Sequence, residues 1–166
     1  MEYIIYRNNV PEAVLQAWSE ATRHELHLVH ETIESLRENV PLAVVAFDGE
    51  EVAGCAGLVL ARSSTGHLLE WAGKTVVELG GAYVDAAYRK HGVWRELLRH
   101  RLASADAWQV VCISSNPTVQ HGLPEFGLIP MDELWDDLKA QLCICPNVSP
   151  DCSYCPFTSG AAWVLP

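Results

Sequence analysis

A glycine-containing basic segment over residues 84–94 carries residue types that suit binding of a phosphorylated ligand. It reads Val-Asp-Ala-Ala-Tyr-Arg-Lys-His-Gly-Val-Trp and is predicted to join a strand to a helix. A helix N-terminus offers N–H groups and the positive end of a dipole to an anion, and Gly92 lets the backbone approach that anion. Five of the eleven Lys and Arg residues fall within thirteen positions here: Arg89, Lys90, Arg95, Arg99 and Arg101. A solvated helix face is the alternative explanation.

Four cysteines near the C-terminus form a second group of residues that could carry chemistry. Their spacing is Cys-x-Cys, six residues, then Cys-x-x-Cys. Four thiolates are a usual ligand set for structural zinc, and they leave no open position for catalysis. An iron–sulfur cluster, free thiols and two disulfides are the alternatives. The candidate zinc ligands are Cys143, Cys145, Cys152 and Cys155.

Apolar periodicity predicts the elements that must position these groups. A strand over 3–6 precedes a helix that buries Val14, Leu15 and Trp18, and a longer helix is predicted over 22–38. Apolar residues recur along the longer helix at three- and four-residue steps: Leu26, Val29, Ile33 and Leu36. A polar face of the same helix suits a metal or an acceptor, and simple solvation explains it as well; it contains His24, His27 and Glu31.

The middle of the chain predicts a sheet. Runs over 42–47 and 51–60 flank Asp48-Gly49, a hairpin signal. A strand over 75–84 is interrupted by Gly80-Gly81, which indicates a bulge or a close backbone approach. A helix over 92–103, a strand over 109–114 and a helix opening at Asn116-Pro117 follow. The strand–helix–strand order predicts one parallel crossover in a mainly antiparallel sheet.

The motif Val84-x-x-x-Tyr88-Arg89-x-x-Gly92 resembles the acetyl-CoA signature of the GNAT acetyltransferase superfamily. In that signature an Arg/Gln-x-x-Gly-x-Gly/Ala loop wraps the pyrophosphate; Trp94 stands here in the place of the last small residue. The run 116–128 is similar to the family's later helix and its closing Gly-Phe pair. The resemblance implies a mixed α/β domain over 1–140, its sheet flanked by helices and splayed where pantetheine inserts. The cysteine-rich tail over 141–166 is expected to pack on the same domain.

The same resemblance implies which residues bind acetyl-CoA. Loop amides and charges would hold the pyrophosphate, and the end of the preceding strand and an asparagine would contact the pantetheine arm. These residues are Ala82, Tyr83, Val84, Arg89, Lys90, His91, Gly92, Val93, Trp94 and Asn116.

Glu78 is the candidate catalytic base. It stands among apolar residues of the predicted strand, where desolvation is expected to raise the pKa of a carboxyl group. Histone-modifying members of the family carry their base glutamate at this place, and the resemblance therefore implies that Glu78 deprotonates the amine. A surface Glu on a half-exposed sheet is the alternative. No general acid carries over, because Leu123 occupies the place of the tyrosine common in the family.

Composition sets the remaining expectations. The 166 residues are 49% apolar and 19% charged, which is typical of one compact domain, and no apolar run is long enough to span a membrane. The N-terminus lacks the pattern of a secretory signal, so we expect a cytoplasmic protein with reduced cysteines. The net charge of −10 disfavours nucleic acid and favours a cationic acceptor. The sequence leaves the oligomeric state open, and a homodimer is compatible with it.

Two functions follow from these residues. The first is an acetyl-CoA-dependent N-acetyltransferase acting on an amine of a small molecule or peptide. The second is a catalytically inactive scaffold of the same fold, stabilised by metal in its tail, that binds another protein. Arg89, Gly92, Glu78 and Asn116 favour the enzyme, whereas Trp94 and the missing tyrosine favour the scaffold.

Overall fold

The computed structural model describes residues 1–24, 31–63, 65–114, 116–131 and 162–166. Their contacts divide the chain into two compact units. The first unit comprises 1–59 and 79–106, and the second comprises 60–78 and 107–166. The chain passes between them after residues 59, 78 and 106, and each unit is described in turn.

The first unit begins with an antiparallel sheet and two helices. Its elements in chain order are β1 (Glu2–Arg7), α1 (Glu12–His24), α2 (Ile33–Asn39), β2 (Leu42–Asp48) and β3 (Glu51–Leu60). β1 pairs with β2 from Glu2↔Phe47 to Arg7↔Leu42, and β2 pairs with β3 across a tight turn at Gly49. The predicted hairpin is confirmed.

The apolar face of α1 builds much of the core of this unit. Val14, Leu15 and Trp18 recur at helical spacing and are buried against residues of α2, β2 and β3. The predicted burial of these three side chains is confirmed. The unit continues with residues 79–84 of the strand β5 (Lys74–Val84), a 3-10 turn (Ala86–Tyr88) and α3 (Val93–Ala103).

The second unit contains shorter strands. They are β4 (Glu70–Trp71), residues 74–78 of β5, β6 (Trp108–Ile113), β7 (Ile129–Pro130) and β8 (Ala162–Val164). The helix α4 (Pro117–Gly122) lies between β6 and β7 in the sequence. β5 and β6 are parallel, whereas β4 with β5, β6 with β8 and β7 with β8 are antiparallel. The predicted parallel crossover and the mixed, mainly antiparallel α/β fold are confirmed.

The single helix predicted over 22–38 is wrong. α1 is described as far as His24, and Thr32, inside the predicted range, has an extended backbone with φ −76° and ψ 159°. Its Oγ1 accepts a hydrogen bond from Ser35 N at 3.1 Å and caps the start of α2. Apolar spacing continues through the cap, which explains why periodicity predicted one helix.

Within the described ranges, no helix is both long and apolar enough to cross a bilayer.

Candidate active site

The end of β5 is followed by a turn organised around Asp85. Its Oδ1 accepts from Ala87 N at 2.9 Å, which caps the 3-10 turn, and its Oδ2 accepts from the Tyr83 hydroxyl at 3.1 Å. Both carboxylate oxygens therefore stabilise the turn that leads into the basic segment.

Arg89, Lys90 and Gly92 complete this turn on the exposed surface. Arg89 Nε donates to Val84 O at 2.9 Å, which ties the guanidinium to the end of β5. Lys90 has φ +68° and Gly92 has φ +82°, so the backbone turns twice through the left-handed region before α3 begins. Only glycine adopts this conformation without cost, which explains its presence at the N-cap of α3.

The N-terminus of α3 presents its backbone to open space. The first hydrogen bond of the helix joins Glu96 N to Gly92 O at 3.2 Å, so the N–H groups in the first turn of α3 point towards the N-terminal end of the helix axis. A Cβ added at Gly92 would meet nothing within 4 Å. An exposed turn with these amides and two cations is suited to a diphosphate.

Two contacts that sequence reasoning missed hold this turn in place. The Tyr88 hydroxyl donates to Asp48 Oδ2 at 3.1 Å and lies 3.4 Å from Glu51 Oε2, which anchors the turn to the β2–β3 hairpin. Desolvation and these two carboxylates raise the pKa of Tyr88, so its hydroxyl remains a donor. A Cβ on Gly54 would lie 3.3 Å from Val93 Cγ1, so glycine at that position lets α3 approach β3 closely.

β5 contains one more residue than the stretch of β3 beside it. Asp85 N donates to Ala53 O at 3.0 Å, and Ala61 N donates to Val76 O at 3.1 Å. Eight steps separate Ala53 from Ala61, but nine separate Val76 from Asp85, so the chain along β5 contains one extra residue, a bulge. Gly81 has φ +57°, the left-handed conformation typical of such a bulge. The bulge predicted from Gly80-Gly81 is confirmed.

The backbone beyond the bulge alternates between the two edges of β5. Tyr83 O faces β3, because a Cβ on Gly54 would lie 2.8 Å from it. Strand alternation therefore turns the amides of Ala82 and Val84 to the opposite edge. The bond from Arg89 to the Val84 carbonyl agrees with that direction.

Comparison with known proteins identifies the fold. Residues 7–122 match the model of the Acetyltransferase (GNAT) family. The chain belongs to the GNAT family. No curated protein sequence matches it.

Solved structures of other proteins resemble this GNAT chain at low sequence identity. The structure of Rv2747 from Mycobacterium tuberculosis in complex with CoA has a TM-score of 0.63 at 16% identity and covers 98% of both chains. Naa50 from Arabidopsis thaliana, bound to a bisubstrate analogue, has a TM-score of 0.58 at 16% identity over 80% of this chain and 86% of its own. A GNAT acetyltransferase from Brucella melitensis with acetyl-CoA has a TM-score of 0.55 at 19% identity over 77% and 83%. These likenesses support the shared GNAT fold.

The predicted catalytic and cofactor-binding residues of this GNAT chain fall in both units. Those from Ala82 to Trp94 lie together in the first unit, whereas Glu78 and Asn116 belong to the second. Glu78 is half-buried between the buried residues Val77 and Leu79. It is the last residue of β5 that pairs with β6, where its partner is Val111.

Asn116 has a structural partner in α4. Its Oδ1 accepts from Thr118 N at 2.9 Å, which makes Asn116 the N-cap of that helix. Its amide side chain retains two N–H donors, since capping uses only the oxygen. The predicted contact of Asn116 with the pantetheine arm stays a prediction.

Two other predicted groups lie partly or wholly outside the described residues. The four tail cysteines lie there, as does His27. His24 Nε2 lies 3.0 Å from Glu20 Oε1, and Glu31 Oε2 accepts from Ser35 Oγ at 2.7 Å, so both side chains have local partners. Among the residues that the structure does describe, no group of three His, Cys, Asp or Glu side chains is arranged to hold a metal.

Proposed function

We propose that this protein is an acetyl-CoA-dependent N-acetyltransferase that transfers an acetyl group directly to an amine. The observation that carries this proposal is the turn from Val84 to Trp94. It combines two exposed cations, Arg89 and Lys90, with the outward-facing amides of a helix N-terminus and a left-handed Gly92 with open space around it. A diphosphate with its two negative charges matches this turn in sign and in hydrogen-bonding capacity.

The reaction proposed is one displacement at the thioester. The amine nitrogen attacks the carbonyl carbon, the C–S bond breaks, and the leaving thiolate takes a proton to give CoA as a thiol. Ala82 N–H, on the edge of β5 that faces away from β3, is proposed to donate to the carbonyl oxygen as negative charge develops there. Glu78 is proposed to take the proton from the attacking amine, because a half-buried carboxylate suits a base working near neutral pH.

No side chain is assigned as the general acid. Leu123, in the place of the family's usual tyrosine, is 1% exposed and contributes to the core. Water is the proposed proton source for the thiolate. This assignment predicts that no single hydroxyl-deleting substitution at a tyrosine abolishes turnover.

The acceptor proposed is the amine of a small molecule or peptide. The net charge of −10 favours a cationic acceptor, because an acidic surface attracts it over long range. The Naa50 structure, whose bisubstrate analogue is CoA-Ac-MVNAL, supports a peptide as one class to test. A panel should therefore include polyamines, amino acids and short peptides with a free N-terminus.

Thermal unfolding with acetyl-CoA and thiol release with the amine panel test the proposal together. At a hundred times its dissociation constant, acetyl-CoA should stabilise the protein by about 2.7 kcal/mol. Thiol release that depends on an amine establishes transfer. Absence of a shift at millimolar acetyl-CoA would contradict the proposal. A shift without thiol release from any amine would favour the inactive scaffold, which the apolar Leu123 and the bulky Trp94 support.

A structural zinc ion in the tail is the second part of this proposal. The basis is the donor set alone: four thiolates at Cys143, Cys145, Cys152 and Cys155 match tetrahedral zinc. We expect one equivalent of zinc in protein purified without added metal, measured by elemental analysis. Less than about a tenth of an equivalent of zinc or iron would reject the site, since a structural metal ion is retained through purification.

A further inference from the structure

The indole of Trp18 occupies a slot made by two glycines. The side chain is 0% exposed, although it lies on a helix that packs over the sheet. A Cβ on Gly57 of β3 would lie 2.9 Å from Trp18 Cη2, and a Cβ on Gly81 of β5 would lie 3.1 Å from Trp18 Cζ2. A methyl group at either position would push against the ring, so both positions need glycine for the indole to fit.

The indole is also hydrogen-bonded to the bulge. Trp18 Nε1 donates to Gly81 O at 2.7 Å. That carbonyl would join the ladder in a regular strand, but the φ of +57° at Gly81 turns it towards α1. A partly buried carbonyl that leaves the ladder needs another donor, and Trp18 is that donor.

This bond sets the direction of the next amide. The carbonyl of Gly81 and the N–H of Ala82 belong to one planar peptide group, and the structure contains no cis peptide in its described residues. The two groups of a trans peptide point in opposite directions. The N–H of Ala82 therefore points away from Trp18.

We propose that Trp18 is a positioning residue for the transfer reaction. Its indole N–H holds the plane of the Gly81–Ala82 peptide, and this keeps Ala82 N–H aimed at the place where the thioester oxygen gains charge. The inference rests on the proposed function. A donor oriented before the reaction stabilises that charge without further rearrangement, so a loosened peptide lowers turnover more than cofactor binding.

Trp18→Phe removes the N–H and keeps an aromatic ring, and Trp71→Phe is the matched control on β4. In the ligand-free protein, the ¹⁵N order parameter of the Ala82 amide should fall from about 0.85 to below about 0.6 in Trp18→Phe, and should stay unchanged at the buried Val44 of β2. With acetyl-CoA and an active amine, kcat should fall about tenfold while the KM for acetyl-CoA stays within about twofold. The control should show neither change.

Each outcome decides a separate point. An unchanged order parameter at Ala82 overturns the positioning role, and a lower order parameter with unchanged kcat overturns its link to the reaction. If the wild-type protein releases no thiol, the proposed function fails, while the order parameter of Ala82 still decides whether Trp18 orients the peptide. If Trp18→Phe fails to fold, benzothienylalanine at position 18 keeps the shape of the indole and lacks only the N–H, and the same readings apply to it.

Discussion

Arg89 donates from its Nε to the carbonyl of Val84, 2.9 Å away, across the turn that leads into α3. The cation that the sequence motif supplies is therefore tied to the end of the strand. A lysine at this position would keep the positive charge but not the planar donor that makes this bond. Substitutions at position 89 can therefore distinguish what the positive charge contributes to CoA binding from what the hydrogen bond across the turn contributes.

Arg89→Ala should weaken CoA binding by about tenfold or more, because it removes a charge and a turn-closing hydrogen bond. Arg89→Lys should give an intermediate loss. Isothermal titration with CoA measures both. Arg23→Ala, at an exposed salt bridge on α1, is the control and should bind CoA as the wild type does. Wild-type affinity in Arg89→Ala would remove Arg89 from the binding site.

Gly92→Ala tests whether the turn before α3 holds the diphosphate. The left-handed φ of +82° should make alanine destabilising by about 1 kcal/mol. Gly73→Ala is a close control, since Gly73 has φ +78° and nothing within 4 Å of its added Cβ either. Both variants should lose similar stability in urea, and only Gly92→Ala should also lose CoA affinity. Equal affinity in the two variants would place the ligand elsewhere.

The buried Arg101 is predicted to be a major stabilising residue of α3. It is 2% exposed, and its Nη1 donates to Gly57 O on β3 at 3.1 Å. Arg101→Ala should lower the free energy of unfolding by about 3 kcal/mol, since a buried carbonyl loses its donor and a cavity forms. Arg99→Ala, where 61% of the side chain is exposed in a pair with Glu96, should cost about 0.5 kcal/mol. Similar midpoints for the two variants in urea would show that Arg101 contributes little.

Glu78→Gln tests the proposed base. The amide cannot accept the proton, so kcat with a saturating amine should fall about a hundredfold at neutral pH. The affinity for CoA should stay near that of the wild type. Glu70→Gln on β4 replaces an exposed carboxylate and should leave kcat unchanged. Unaltered turnover in Glu78→Gln would assign the base to another group or to water.

Much of the fold was predictable because its signals are local. The hairpin over 42–60 follows from Asp48-Gly49 between apolar runs, and the turn into α3 follows from the chemistry of Arg89 and Gly92. The two- and three-residue strands β4, β7 and β8 were missed, because so few residues cannot show the alternation of apolar and polar side chains that predicts a strand. The break at Thr32 was missed because a cap interrupts the backbone without interrupting the apolar spacing.

The sequence by itself determined the family motif, the bulge and the candidate residues of the site. Only the tertiary structure revealed what supports them: Tyr88 bonds to Asp48 across 40 positions, and Trp18 bonds to Gly81 across 63. Turn and helix preferences depend on a few consecutive residues, whereas these contacts form only after distant segments pack against each other. The long-range packing of α1 on the sheet therefore decided how the peptide at Ala82 is oriented.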